Sequence, residues 1–419
     1  MSASNSILKE IREIVSFEKG KPPAQQPYFG SDAEIYLTPE YLRGGAATEP
    51  IKASANAVRV KQGDSIVLWD GSNAGEVFKA REGVLSSTMT RLRHGDEFDV
   101  SYFFYAVKGW ESHLKGQTSG SGIPHVDKEV LGKLKIAKFP QAEQTKIAEI
   151  LSTVDRAIEQ TEALIAKQQR LKTGLMQDLL TRGIDEHGNL RSEQTHKFKD
   201  SPLGRIPVEW EVNMLGEIAE VRGGKRLPAG HSYSSADTGH RYFRVTDFYR
   251  KEIDYFSLEM LEEVTFRALR RYEIKQGDLC VSIAGSLGYF AHYLPPSEFQ
   301  TILTENAARI VPKTGFIPSL LCSILNSDRV QMQIEEEKGV GGGVPKLALF
   351  RIRSLHVPLP SCENEQSRIL GSLASQSEAF TATIIALSKL HSLKTALMQD
   401  LLTGRKMVTT LLDGKEAIE

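Results

Sequence analysis

Between Arg222 and Arg250 the chain sets Arg222, Lys225, Arg226, Arg241, Arg244 and Arg250 against only Asp237 and Asp247. Tyr233, Tyr242, Phe243, Phe248 and Tyr249 are interleaved with them. Fixed cations among aromatic rings suit a polyanion whose bases show hydrogen-bonding edges, which is the composition of a nucleic-acid face. The other reading of the same residues is a solvated strand surface over buried rings. Weaker candidates lie at Lys19, Lys21, Arg59, Lys61, Arg91 and Arg93, and a further cation, Lys346, follows the Gly343-Val344-Pro345 turn. An arginine on guanine, or an asparagine or glutamine on adenine, contributes about 1–3 kcal/mol of discrimination.

Catalytic chemistry finds no comparable set of residues. There is no Gly-x4-Gly-Lys-Ser/Thr loop to cradle a triphosphate. No Asn/Asp-Pro-Pro-aromatic segment is present of the kind used on a flipped base. The ten histidines and three cysteines show no metal-ligand spacing. The glycine run Gly339–Gly343 lacks the dinucleotide pattern and reads as a flexible loop, the alternative being a loop that closes on DNA. The expectation is a binding protein without a cofactor or metal of its own.

What positions these residues is a duplication. Leu171-Lys172-Thr173-Gly174-Leu175-Met176-Gln177-Asp178-Leu179-Leu180-Thr181 returns 222 residues later as Leu393 to Thr403, with Ala396 in place of Gly174. The offset holds without a gap back to Glu143-Gln144 and Glu365-Gln366. Each copy closes a proline-free amphipathic stretch. Ile147, Leu151, Leu171, Leu175 and Leu179 mark the apolar stripe of the first, and Leu373, Leu393, Leu397 and Leu401 that of the second. Helices of this length reach roughly 55–60 Å, and so narrow a stripe needs a partner. The spacing therefore predicts an antiparallel coiled coil between the two copies. Ser361 is the expected N-cap of the second helix.

Before each helix the same skeleton recurs with little shared sequence. A strand runs into Gly20-Lys21 or Gly223-Gly224-Lys225; Lys61-Gln62-Gly63-Asp64 matches Lys275-Gln276-Gly277-Asp278; an apolar strand then leads to Gly71-Ser72 or Gly285-Ser286. The fold class read from this is α+β, with two mostly-β globules in tandem and pseudo-twofold related helices. The segments are 1–140 (first globule), 141–182 (first helix), 183–208 (linker), 209–360 (second globule), 361–404 (second helix) and 405–419 (tail).

Charge and composition restrict the classes. The net charge is −1, so any polyanion face must be local rather than global. Three widely spaced cysteines, no apolar leader and no run of membrane-spanning length predict a cytoplasmic protein without disulfides.

Pro140-Gln141-Ala142-Glu143-Gln144, the paired Leu-Lys-Thr-x-Leu-Met-Gln-Asp-Leu-Leu-Thr segments and Phe198-Lys199-Asp200-Ser201-Pro202-Leu203-Gly204-Arg205-Ile206-Pro207-Val208-Glu209-Trp210 together resemble the DNA specificity subunit of type I restriction-modification systems. The resemblance covers nearly the whole chain. It implies two target-recognition domains held apart by two conserved helices, each domain reading one half of a split site on double-stranded DNA. It also implies two methyltransferase subunits and restriction (translocase and nuclease) subunits as partners, with S-adenosylmethionine, ATP and Mg in those partners and no membrane. Two readers one B-DNA turn apart, about 34 Å, would meet the same face of the duplex. The competing class is a non-enzymatic coiled-coil scaffold carrying two protein-binding β modules. The two classes differ in salt dependence. Log affinity for duplex DNA should fall linearly with log salt in an anisotropy titration; salt-independent capture of protein instead of DNA would select the scaffold.

Overall fold

The structure is a computed structural model that describes residues 7–118, 123–249, 251–296, 298–338 and 346–412. The glycine run Gly339–Gly343 and the tail beyond residue 412 lie outside the described residues. The two apolar stripes form single helices, Gln141–Arg182 of 42 residues and Glu363–Leu402 of 40. Contacts divide the chain into two compact units. Unit 1 is Met1–Ile165 with Thr383–Glu419, and unit 2 is Ala166–Ala382. Each unit therefore contains the beginning of one long helix and the end of the other.

In unit 1 a four-stranded antiparallel sheet has the order Val15–Lys19, Met89–His94, Ser65–Leu68, Val77–Lys79. Ser65–Leu68 is buried at every position because it lies inside this sheet, paired on both sides, which explains its unbroken apolar run. Tyr36–Leu37 pairs parallel with Gly83–Leu85, and Arg59–Val60 pairs antiparallel to the same strand. Unit 2 repeats the plan. Its first sheet orders Ala219–Gly223, Ala307–Pro312, Leu279–Ser282 and Phe290–His292. Its second pairs His240–Phe243 parallel with Gln300–Leu303, which pairs antiparallel with Glu273–Ile274. Glu259–Met260 adds an edge strand with no counterpart among the described residues of unit 1. Helices pack beside the sheets: Val100–Lys108 begins where the Asp99 carboxylate accepts from Ser101 N and Tyr102 N, both at 2.9 Å.

The helix pairing is visible inside each unit. In unit 1, Ile147 and Leu151 share a core with Leu397, Met398 and Leu401, and Lys394 Nζ meets Asp155 at 2.6 Å. In unit 2, Leu175 and Leu179 share a core with Ile369 and Leu373, and the Lys172 ammonium sits 5.7 Å from the Phe380 ring centroid. The start of one helix meets the end of the other, so the two run antiparallel. Leu171 and Leu393, expected in the stripe, are instead 56% and 47% exposed. Each step of four residues over-rotates by about 40° on a 3.6-residue helix, so a Leu171-Leu175-Leu179 run drifts out of the contact. Ser361 is no N-cap: its hydroxyl donates to Glu209 O at 2.8 Å, and Cys362 O takes the first helical N–H groups.

Both helices are fixed at their first turn by a buried carboxamide. Gln144 Oε1 accepts from Asp99 N at 2.8 Å, while its Nε2 donates to Glu97 O at 3.0 Å and Phe139 O at 2.8 Å. Gln366 Oε1 accepts from Ile317 N at 3.1 Å, while its Nε2 donates to Gly315 O at 3.2 Å and Pro360 O at 3.1 Å. The neighbouring glutamates differ. Glu365 is buried against both Arg191 Nη atoms, and it accepts from Trp210 Nε1 and Ile184 N, each at 3.1 Å. These donors come from the linker and the strand that follows it. Glu143 is 8% exposed and accepts no side-chain hydrogen bond among the described residues. Glu365→Leu strands the Arg191 guanidinium and should cost the roughly 3–5 kcal/mol of an orphaned buried ion. Arg191→Met added to it should recover most of that, and Glu143→Leu should cost less. Equal calorimetric losses for Glu143→Leu and Glu365→Leu would show that the linker's ion pair adds nothing.

Candidate nucleic-acid interface

Two turns at matching places frame the candidate surface of each unit. Gly63 and Gly277 have φ of 96° and 92°, a conformation that favours glycine, and each puts an aspartate next in the chain. Asp64 Oδ2 accepts from Lys61 N at 2.8 Å and pairs with Arg91 Nε at 3.1 Å. Asp278 Oδ2 accepts from Lys275 N at 2.5 Å and pairs with Arg309 Nε at 2.6 Å. Arg91 also reaches Glu18 at 3.3 Å and is largely covered. It is thus an internal strut between sheet and turn. Arg309 was not among the sequence candidates, although the Gly-Asp turn preceding both arginines pointed to it.

The glycine-lysine turns are the second matched feature. A Cβ added to Gly20 would lie 2.0 Å from Ser86 O, and one on Gly224 would lie 2.1 Å from Thr304 O. Only glycine lets these turns pass so close to the neighbouring loop. The following lysine carbonyls are held by tyrosines: Tyr36 Oη donates to Lys21 O at 3.4 Å, and Tyr242 Oη to Lys225 O at 2.8 Å. Burial raises the Tyr242 phenol above its ordinary value, so it stays a neutral donor.

The predicted cations divide by environment. Lys21, Lys61, Lys225 and Lys346 are exposed and have no ion-pair partner among the described residues. Lys346 also carries a backbone bridge to Ala284. Lys19 is tied to Asp70 at 2.8 Å and Arg222 to Glu220 at 2.6 Å. Arg226 donates through Nε to Glu305 at 2.7 Å, and its side chain remains 78% exposed. Burial acts to raise the Glu305 carboxyl, but its hydrogen bonds, that from Arg226 foremost, hold it below the ordinary value. Arg241 is 6% exposed, paired with Asp237 at 2.8 Å and lying over the Phe299 ring. Arg244 is bound to Asp247 at 2.8 Å and also to Glu259. The last two therefore hold loops together inside unit 2, whereas Lys21, Lys61, Lys225 and Lys346 face solvent and Arg222 and Arg226 keep side chains 61% and 78% exposed beside their glutamates. Arg250 lies outside the described residues.

A family model for the type I restriction modification DNA specificity domain matches residues 5–168 and again residues 207–388. The chain belongs to this family. The MjaVIII specificity subunit of Methanocaldococcus jannaschii is 31% identical over 414 residues, covering 96% of this chain and 93% of that one. The EcoBI specificity subunit of Escherichia coli is 22% identical over 334 residues, 78% of this chain and 69% of the relative. Among solved structures, the S subunit of a type I restriction-modification system from M. genitalium superposes with a TM-score of 0.57 at 17% identity, covering 96% and 97% of the two chains. Its likeness extends to the fold.

The specificity subunit so identified recognises DNA sequence within a type I restriction-modification system and is not itself an enzyme. Among the described residues no group of histidine, cysteine and carboxylate could hold a metal ion, and no helix is long and apolar enough to cross a membrane. The two classes of cation should separate experimentally. Lys225→Ala should weaken binding to all duplexes alike and lower the salt slope by about 1. Arg91→Ala should lower the melting temperature. A salt slope reduced by Arg91→Ala at unchanged stability would reverse the assignment.

Proposed function

We propose that each unit reads one short half of a bipartite site on double-stranded DNA, and that the two long helices set the number of unread base pairs between the halves. The observation that supports this most strongly is the repetition of one framework around different surface residues. Lys21, Lys61, Lys225, Arg226 and Lys346 are the cations offered to the DNA. Both long helices contribute to both units, which makes their length the natural determinant of spacing.

The repeated helix ends would each receive one methyltransferase subunit. Thr173 and Gln177 are exposed and Thr181 half-buried, Thr395, Gln399 and Thr403 are exposed, and the exposed Leu171 and Leu393 precede them. Sequence identity at exposed positions is not required for packing, so a shared partner accounts for it better. In unit 1 this face borders an apolar groove of about 730 Å³ with Trp110, Ile136, Met398 and Leu402 in its walls. In unit 2 the corresponding cleft of about 730 Å³ is walled partly by Phe198 and Arg205 of the linker. Restriction subunits would join the same complex in the cytoplasm. S-adenosylmethionine, ATP and Mg would then belong to the partners.

Leu171→Asp with Leu393→Asp should abolish recruitment of the methyltransferase while leaving the melting temperature unchanged. Gel filtration with the cognate methyltransferase reads this directly, and a normal complex would reject the docking surface. Lengthening both helices by four residues should change the spacer in a methylation-site survey and leave the half-sites alone.

A further inference from the structure

The duplication separates framework from reader. Four interactions recur at matching places: the aspartate-arginine strut, the glycine turn against a loop carbonyl, the tyrosine bond to the lysine carbonyl, and the backbone bridges Asp70–His125 and Ala284–Lys346. Two units that read different half-sites must differ at points this shared framework holds toward the DNA. Such a point lies one residue beyond the loop carbonyl that each glycine turn touches. It is Ser87 in unit 1 and Glu305 in unit 2.

In unit 1 this point opens on a polar cleft of about 410 Å³ between the turn at residues 70–73 and the loop at residues 86–88. Most polar groups there are already engaged. Asp70 holds Lys19, Arg43 holds Glu76, and the Ser86 and Thr88 hydroxyls are 3.0 Å apart. The Asn73 carboxamide and the Ser87 hydroxyl have no side-chain hydrogen bond among the described residues. Asn73 is exposed and Ser87 half-buried. A carboxamide both donates and accepts, which matches the N6 and N7 edge of adenine, and a hydroxyl serves either role. In unit 2 the same point carries Glu305 with Arg226. The carboxylate takes Arg226 Nε at 2.7 Å, which orients the guanidinium and leaves its Nη pair without a hydrogen bond among the described residues. Two parallel N–H donors match the O6 and N7 acceptors of guanine.

We infer that Asn73 and Ser87 in unit 1, and Arg226 braced by Glu305 in unit 2, are specificity-determining contacts to base edges, with Lys21 and Lys225 on the flanking phosphates. This rests on the bipartite reading proposed above. Glu305 is a positioning residue that acts through Arg226.

The test uses the full chain assembled with its methyltransferase subunits and maps methylated sequences. The wild-type map must show two separated half-sites; one continuous site would overturn the bipartite reading itself. Given two half-sites, Asn73→Ala with Ser87→Ala should reduce discrimination on the order of 10-fold at one or two base pairs of one half only. Arg226→Lys, which keeps the charge and loses the fork, should relax one base pair of the other half. Glu305→Gln should relax that same base pair more weakly. Unchanged motifs with intact assembly on gel filtration would overturn the inference. So would a uniform loss of binding across all sequences, the signature of phosphate contact alone.

Discussion

Everything in this structure depends on the burial of one carboxamide at the head of each long helix. Gln144 and Gln366 are 1% exposed, and each satisfies three backbone groups of the globule beside it. Each such group left bare in a core costs about 1–3 kcal/mol. The helix therefore cannot rotate or slide against its sheet without stranding several at once. Hydrophobic contact alone tolerates small shifts, whereas a bidentate polar anchor holds one register. Through this joint each sheet is tied in one register to the helix that follows it.

Much of this was legible in the chain. The fixed 222-residue offset located both helices and reached back to Gln144 and Gln366, but nothing in the chain marked these two as anchors. The Lys-Gln-Gly-Asp turns and the Gly-Lys turns announced themselves through residues that backbone geometry demands. Less legible was what the cations do. Arg91, Arg241 and Arg244 look like Lys21 or Lys225 in a list of charges, but they close ion pairs with Asp64, Asp237 and Asp247. Those partners were in plain sight as residues, and only folding shows them as neighbours. Leu171 and Leu393 misled for another reason: steps of four imitate a stripe for one or two turns before the helix rotates them away. Chain order also concealed that a unit is assembled from distant segments, since residues 383–402 complete the core of residues 7–151.

The duplicated halves are not equal in how they close. Unit 2 folds its linker back so that Arg191 and Trp210 reach Glu365, whereas Glu143 has no such partner among the described residues. The same helix-end sequence consequently meets different surroundings in the two units. One groove is apolar and the other is shared with linker side chains. The duplicated helix ends therefore present chemically different surfaces in the two units.

The most direct measurement replaces residues 11–139 with residues 215–359, joined at the matched strand and helix boundaries, and maps the methylated sequence in cells with the partner subunits. Antiparallel helices carrying two identical heads should yield an inverted repeat of the second half-site with the spacer unchanged. An assembled complex that still methylates the original asymmetric sequence would contradict the account.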